Sequence, residues 1–163
     1  MLFAAIITCS DKGYAGQRED LAGPAVRRLL EAHGYTIVEQ LLLPDDRTQI
    51  AAALRRLCDE TEVCLICTTG GTGFSPRDVT PEATQDVVER LCPGIPEAMR
   101  AFSLSITPRA MLSRAAAGIR GHTLIVNLPG SPKAVTECLE YSLDSLQHGL
   151  DILLGHDGEC ARS

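Results

Sequence analysis

The sequence contains no tryptophan, and phenylalanine and tyrosine together supply 4% of its 163 residues. So thin an aromatic complement leaves little surface on which successive bases could stack. Positive charge is also scarce: 15 lysines and arginines stand against 21 aspartates and glutamates, a net charge of −6. An acidic chain without a basic stripe is not made for nonspecific nucleic-acid binding, so no nucleic-acid partner is expected. Any anionic ligand must instead meet positive potential created locally. No apolar run approaches the roughly 20 residues that a membrane-spanning helix requires, and no membrane partner is expected. The opening Met1-Leu2-Phe3-Ala4-Ala5-Ile6-Ile7-Thr8 has no basic leader and runs into a polar loop. It reads as a first strand rather than a signal peptide.

Cysteine is present, but its seven copies are odd in number and scattered through apolar segments. That pattern lacks the spacing of a disulfide frame and suits free thiols in a reducing, cytoplasmic compartment. Cys64 and Cys67 form a C-x-x-C; on one strand, positions three apart face opposite ways, so a shared metal or disulfide is not expected. Catalytic motifs are missing too. There is no nucleophile elbow, no His-Glu-x-x-His and no Cys/His spacing for zinc, which leaves covalent and zinc chemistries without support.

What is present centres on residues 63 to 91. Val63 to Thr69 is a short apolar, β-rich run without a polar face, as in a strand covered on both sides of a parallel sheet. Gly70, Gly71 and Gly73 follow, letting the backbone turn sharply and approach a ligand. Thr80 is a suitable N-cap with Pro81 at the first helical position, which predicts a helix running to about Leu91 before Cys92-Pro93-Gly94 stops it. Arg77 and Asp78 lie between turn and helix. A cation and a carboxylate beside bare backbone donors suggest phosphate handling, with the carboxylate available to Mg²⁺. The turn is not a Walker loop, since no lysine follows Gly73, and Pro76 stands where the dinucleotide pattern needs a glycine.

The rest of the chain alternates. Strands are expected at Leu2 to Thr8 and Tyr35 to Leu43, with helices between about Leu21 and His33 and from Arg47 to Cys58. The loop from Cys9 to Asp20 is longer than an ordinary strand-to-helix turn. Either Asp45 or Asp46 caps the helix ahead of Thr48-Gln49-Ile50, leaving the other carboxylate available. Further helices are expected at 94 to 104 and as a single turn at 108 to 113. Residues 115 to 119 and 123 to 128 read as a hairpin, so the sheet is mixed. Leu128-Pro129-Gly130-Ser131-Pro132-Lys133 then repeats the logic of the central turn, and a long helix follows to about Leu154. Two such corners on adjacent strands would bring two helix N-termini to one crevice beyond the carboxyl ends of the sheet. Carboxylates beside phosphate cradles are what nucleotidyl transfer requires.

The string Thr68-Thr69-Gly70-Gly71-Thr72-Gly73, then Arg77-Asp78-Val79-Thr80-Pro81-Glu82-Ala83, resembles the signature of the molybdopterin adenylyltransferases of molybdenum-cofactor synthesis, including the matching domain of gephyrin. The resemblance extends in order through Ser10-Asp11, Pro44-Asp45-Asp46, Pro93-Gly94, Leu112-Ser113-Arg114, Gly118-Ile119-Arg120 and Asn127 to Lys133, covering roughly Ile6 to Leu150. It implies a three-layer α/β/α fold with a mostly parallel mixed sheet, residues 1–154 forming one molybdopterin-binding domain and 155–163 a tail. It also implies that ATP and molybdopterin are substrates and that the terminal phosphate of molybdopterin attacks the α-phosphate of ATP, releasing pyrophosphate. By this analogy Asp45 and Asp78 are the catalytic acids, and both are assigned to Mg²⁺. Thr69, Gly70, Gly71, Thr72, Gly73, Gly130 and Ser131 are assigned to the nucleotide and its phosphates, with Ser10, Asp11 and Lys133 as lesser substrate contacts. Lys12 stands where relatives often carry arginine. A homotrimer and a downstream molybdenum insertase are the partners the resemblance implies. The alternatives are a molybdopterin-binding protein without transfer activity and a scaffold domain of the same fold.

Overall fold

The computed structural model describes residues 1–156; most of the expected tail, 157–163, lies outside the described residues. Six strands form one sheet in the order β2-β1-β3-β6-β5-β4. These are β1 (Leu2–Cys9), β2 (Tyr35–Leu43), β3 (Leu65–Thr69), β4 (Arg90–Leu91), β5 (Ala117–Arg120) and β6 (Thr123–Leu128). The pairs β1–β2, β1–β3 and β3–β6 are parallel, whereas β5 pairs antiparallel with both β6 and β4. The sheet is therefore mixed, and mostly parallel by pairing through its centre.

Both faces are covered, which explains why the central strands read as continuous apolar runs. Ala4, Ile6, Leu65, Cys67, Leu124, Val126 and Leu128 pack on one side with Val26, Leu30, Met99, Leu139 and Leu143. These partners come from α2 (Ala22–Ala32), α5 (Gly94–Leu104) and α6 (Pro132–Leu153). Ala5, Ile7, Ile66 and Ile125 point the other way, onto Ile50, Leu54 and Leu57 of α3 (Arg47–Glu60) and Ala83 of α4 (Thr80–Gln85). Alternation along each strand thus feeds two cores. No helix among the described residues is long and apolar enough to cross a membrane.

Four local expectations are corrected. The helix after the central turn stops at Gln85 instead of Leu91, because the chain is recruited as an edge strand: Glu89 N–H donates to Ile119 O and Cys92 N–H to Ala117 O, both at 2.9 Å. Two β-branched residues, Val87 and Val88, sit where it leaves the helical path. Thr80 is inside that helix, and Val79 occupies the capping position. The polar loop after β1 contains a short helix, α1 (Asp11–Tyr14), because the Ser10 hydroxyl accepts from Gly13 N–H and starts a turn there. Cys64 and Cys67 share one core instead of facing opposite ways, since Cys64 precedes the strand and is not bound by its alternation. Both remain free thiols, as do Cys9, Cys58, Cys92 and Cys138.

Candidate active site

A cleft of about 510 Å³ opens beyond the carboxyl ends of β1, β2, β3 and β6. This is the rim where ligands sit in open α/β sheets. Its two glycine corners are in direct contact. Gly70 N–H donates to Leu128 O at 3.2 Å, Thr69 Oγ1 donates to Pro129 O at 2.7 Å, and a Cβ on Gly130 would lie 3.3 Å from Gly70 Cα. Gly70 and Gly71 take φ of +90° and +68°, in the left-handed region that glycine enters without a Cβ penalty. Gly71 has a second reason to be glycine: an added Cβ would sit 2.3 Å from Thr80 Oγ1 and 3.1 Å from Asp45 Oδ1.

The carboxylates reach this cleft from different elements. Asp46 is the cap of α3, accepting from Gln49 N–H at 2.9 Å. That leaves Asp45 free to turn inward, where it locks reciprocally with Asp11: each backbone N–H donates to the other's carboxylate at 3.0 Å. Asp45 Oδ2 is used in this exchange, while Oδ1 is buried without a partner. Desolvation leads in raising the Asp45 carboxyl above its usual range, and the negative charges of Asp11 and Asp78 add to the rise. Asp78 is oriented by its own loop, its Oδ2 accepting from Ser75 N–H at 3.1 Å.

Of the residues singled out in the sequence, Ser10, Asp45, Thr69, Gly70, Gly71, Asp78, Gly130 and Ser131 line the cleft. Asp11, Thr72, Gly73 and Lys133 do not. Asp11 binds Asp45 and the Arg77 guanidinium, which holds the Asp11 carboxyl below its usual range. Arg77 is thereby engaged at the periphery. Thr72 and Gly73 direct their carbonyls away, to Arg114. Lys133 is 85% exposed and lies 4.0 Å from Glu137. The helix starts also differ from expectation. The longer helices that start on the cleft are α2 and α6, through Leu21, Ala22, Ser131 and Pro132, beside Ser10 at the start of the short α1, whereas Thr80 at the start of α4 is buried under Gly71.

Sequence reasoning missed Thr8, Arg18, Glu19 and Asp20 on the cleft wall. Asp20 accepts from Gly23 N–H at 2.9 Å and from Thr8 Oγ1 at 2.8 Å, so it fastens the start of α2 to the end of β1. The signal was legible as an acid three residues ahead of a helical N–H. Arg18 is the cation that faces the cleft. Cys9 also lines it, but burial pushes its thiol up to about 12, so it carries almost no thiolate at neutral pH. Cys9 is therefore not an activated nucleophile. Among the described residues the site offers four carboxylates, of which Asp20 is taken up by Thr8 and Gly23, together with two backbone corners, the starts of α2 and α6 and one arginine, an arrangement suited to positioning phosphates through a bound cation.

Residues 5–148 match the family model described as "Probable molybdopterin binding domain". The chain belongs to this family. It is 41% identical over 153 residues to a protein of Helicobacter pylori named molybdopterin adenylyltransferase, covering 93% of this chain and 87% of the relative. The Escherichia coli K12 protein of that name is 42% identical over 137 residues, 83% of this chain and 70% of its own. Among solved structures, the molybdopterin biosynthesis enzyme MoaB from Thermus thermophilus superposes with a TM-score of 0.90 at 45% identity, covering 95% of this chain and 98% of that one. The mixed six-stranded sheet is thus the fold of this family.

No group of three or more histidine, cysteine or acidic side chains among the described residues forms a cage for a metal ion. The donor set fits a different kind of site. Mg²⁺ commonly takes one or two carboxylates, waters and the substrate's own phosphate oxygens. The orphaned, buried Asp45 Oδ1 and the carboxylate of Asp78, which lines the same cleft, would supply that number of protein ligands.

Proposed function

We propose that this chain transfers the adenylyl group of ATP to the terminal phosphate of molybdopterin, releasing pyrophosphate. The observation carrying the reading is the meeting of the Gly70-Gly71 and Gly130-Ser131 corners with Asp45 and Asp78 around one cleft. Relatives named molybdopterin adenylyltransferase support it at about the same level of identity in several bacteria.

In this mechanism the Gly71 corner and the N-terminus of α6 cradle the nucleotide's phosphates, with the Ser131 hydroxyl free to donate while its oxygen caps Ala134 N–H at 3.1 Å. Arg18 supplies the local positive potential that the acidic chain otherwise lacks. Leu21, exposed on the cleft wall, offers an apolar surface to a flat heterocycle. Asp45 and Asp78 would hold Mg²⁺, which neutralises charge on the transferring group. The attacking phosphate monoester has a second pKa near ~6 and is largely dianionic at pH 7, so no residue needs to serve as its base. The chain's part is alignment.

We place this activity in the cytoplasm, within one domain spanning 1–154, in a homotrimer that hands its product to a molybdenum insertase. The exposed apolar side chains Leu104, Ile106, Met111, Leu112 and Tyr141 support a partnered surface. The purified chain should release pyrophosphate from ATP only when both Mg²⁺ and molybdopterin are present, with adenylylated molybdopterin detected by mass spectrometry. Molybdopterin binding without pyrophosphate release would instead mark a binding protein.

A further inference from the structure

Arg114 lies outside the cleft, yet it gathers the loop that carries Asp78. Its backbone N–H donates to Thr72 O at 2.8 Å, Nε to Gly73 O at 2.8 Å and Nη2 to Asp78 O at 2.9 Å, and Nη1 pairs with Glu82 Oε1. One residue therefore ties both ends of the segment 73–78 and the first turn of α4. The segment has no strand or helix hydrogen bonds of its own. Its internal support is a tight turn, with Asp78 N–H on Ser75 O at 2.9 Å and Ser75 N–H on Asp78 Oδ2 at 3.1 Å. That turn fixes Asp78 relative to Ser75 but not the loop relative to the sheet. On the other flank the Arg77–Asp11 pair is largely solvent-exposed, and such pairs hold geometry weakly. The Arg114–Glu82 pair is about two-thirds buried.

We propose that Arg114 is a positioning residue for adenylyl transfer: its guanidinium, by bridging the carbonyls of Gly73 and Asp78 against Glu82, sets where the Asp78 carboxylate points into the cleft. This rests on the adenylyl-transfer reading above. The planar fork matters, because three partners in fixed directions are met at once. A lysine ammonium reaches one or two of them from a flexible stem. A displacement near 1 Å of a group that aligns reactants costs about a hundredfold in rate.

The test compares wild type, Arg114→Ala and Arg114→Lys by amide hydrogen exchange and by steady-state kinetics. In Arg114→Ala, amides of 73–79 should exchange about tenfold faster or more while the central strands stay protected. Its kcat should fall about a hundredfold with KM for molybdopterin little changed, and millimolar guanidinium, but not methylammonium, should restore part of the rate. Arg114→Lys keeps the charge and the stem, so it should melt near wild type, yet show the same fast loop exchange and low kcat. That variant decides the matter should the alanine one fail to fold. Wild-type loop exchange and wild-type kcat in Arg114→Lys would overturn the proposal, as would a rate loss matched by exchange rising throughout the sheet. A wild-type chain that released no pyrophosphate would overturn the functional reading alone, since the exchange comparison judges the loop independently.

Discussion

Gly71→Ala isolates the tightest point of the site. Two penalties act at this position. The φ of +68° costs an L-residue about 1–2 kcal/mol. The new methyl would stand 2.3 Å from Thr80 Oγ1, and Thr80 is fully buried in the first turn of α4, so helix or corner must shift. Overpacking of that kind costs about 1–3 kcal/mol. The sum, about 2–5 kcal/mol, lowers the melting temperature by roughly 5–15 °C for a chain of this size. Gly34→Ala is the matched control: φ is +86° there, but nothing lies within 4 Å of the added Cβ, so only the backbone penalty remains. Thr80→Ala removes the clashing hydroxyl, leaving Asp45 Oδ1 at 3.1 Å as the nearest atom. In that background Gly71→Ala should cost about 1–2 kcal/mol less than in wild type, a coupling readable from a double-mutant cycle. Urea unfolding followed by circular dichroism supplies the free energies, and a thermal scan supplies the melting shift. A Gly71→Ala cost no greater than that of Gly34→Ala, or an additive cycle, would refute the claim that Thr80 supports the corner from beneath.

Because the Asp45 carboxyl is raised in the folded chain, the fold binds that proton more tightly than the unfolded chain does. Without a divalent cation, stability should decline as pH rises from the ordinary carboxyl range through the raised Asp45 value; melting temperatures across pH should show this part of the slope vanish in Asp45→Asn. Asn127 is fully buried, accepting from Ala116 N–H at 3.0 Å and donating to Thr84 Oγ1 at 2.8 Å and Thr68 Oγ1 at 3.0 Å. Asn127→Ala should cost about 2–4 kcal/mol in urea unfolding, through the orphaned Ala116 N–H and the space left behind. Ser131→Ala should lose about 1 kcal/mol from the start of α6 and weaken ATP binding in calorimetry.

Much of this frame was readable because local rules and tertiary demands agree along it. Tyr35 to Leu43 is β-branched and apolar and forms a strand over that same span. The pair Ser131-Pro132 starts α6, and Asp46 caps α3, freeing Asp45 for the cleft. Legibility ended where a distant partner decides. Nothing local in Arg90-Leu91 announces an edge strand; the pairing to Ile119 and Gly118 creates it. Lys133 and Arg77 are plausible phosphate cations by position, but Glu137 and Asp11 lie beside them in space, and Asp11 accepts from Nε and Nη2 of Arg77. Arg18 and Lys12 belong to the same loop, and spacing does not tell that Arg18 is the one that reaches the cleft wall. Thr72 and Gly73 belong to the right turn but give their carbonyls to Arg114, a distinction that spacing alone does not carry.

The central claim is that Asp78 acts on the nucleotide held between the two corners, and not on the fold. The direct measurement is adenylyl transfer by purified Asp78→Asn, followed as pyrophosphate release with ATP, Mg²⁺ and molybdopterin, alongside its melting temperature and its affinity for molybdopterin. Loss of transfer with both other quantities close to wild type is the predicted result. Turnover at the wild-type rate would contradict it.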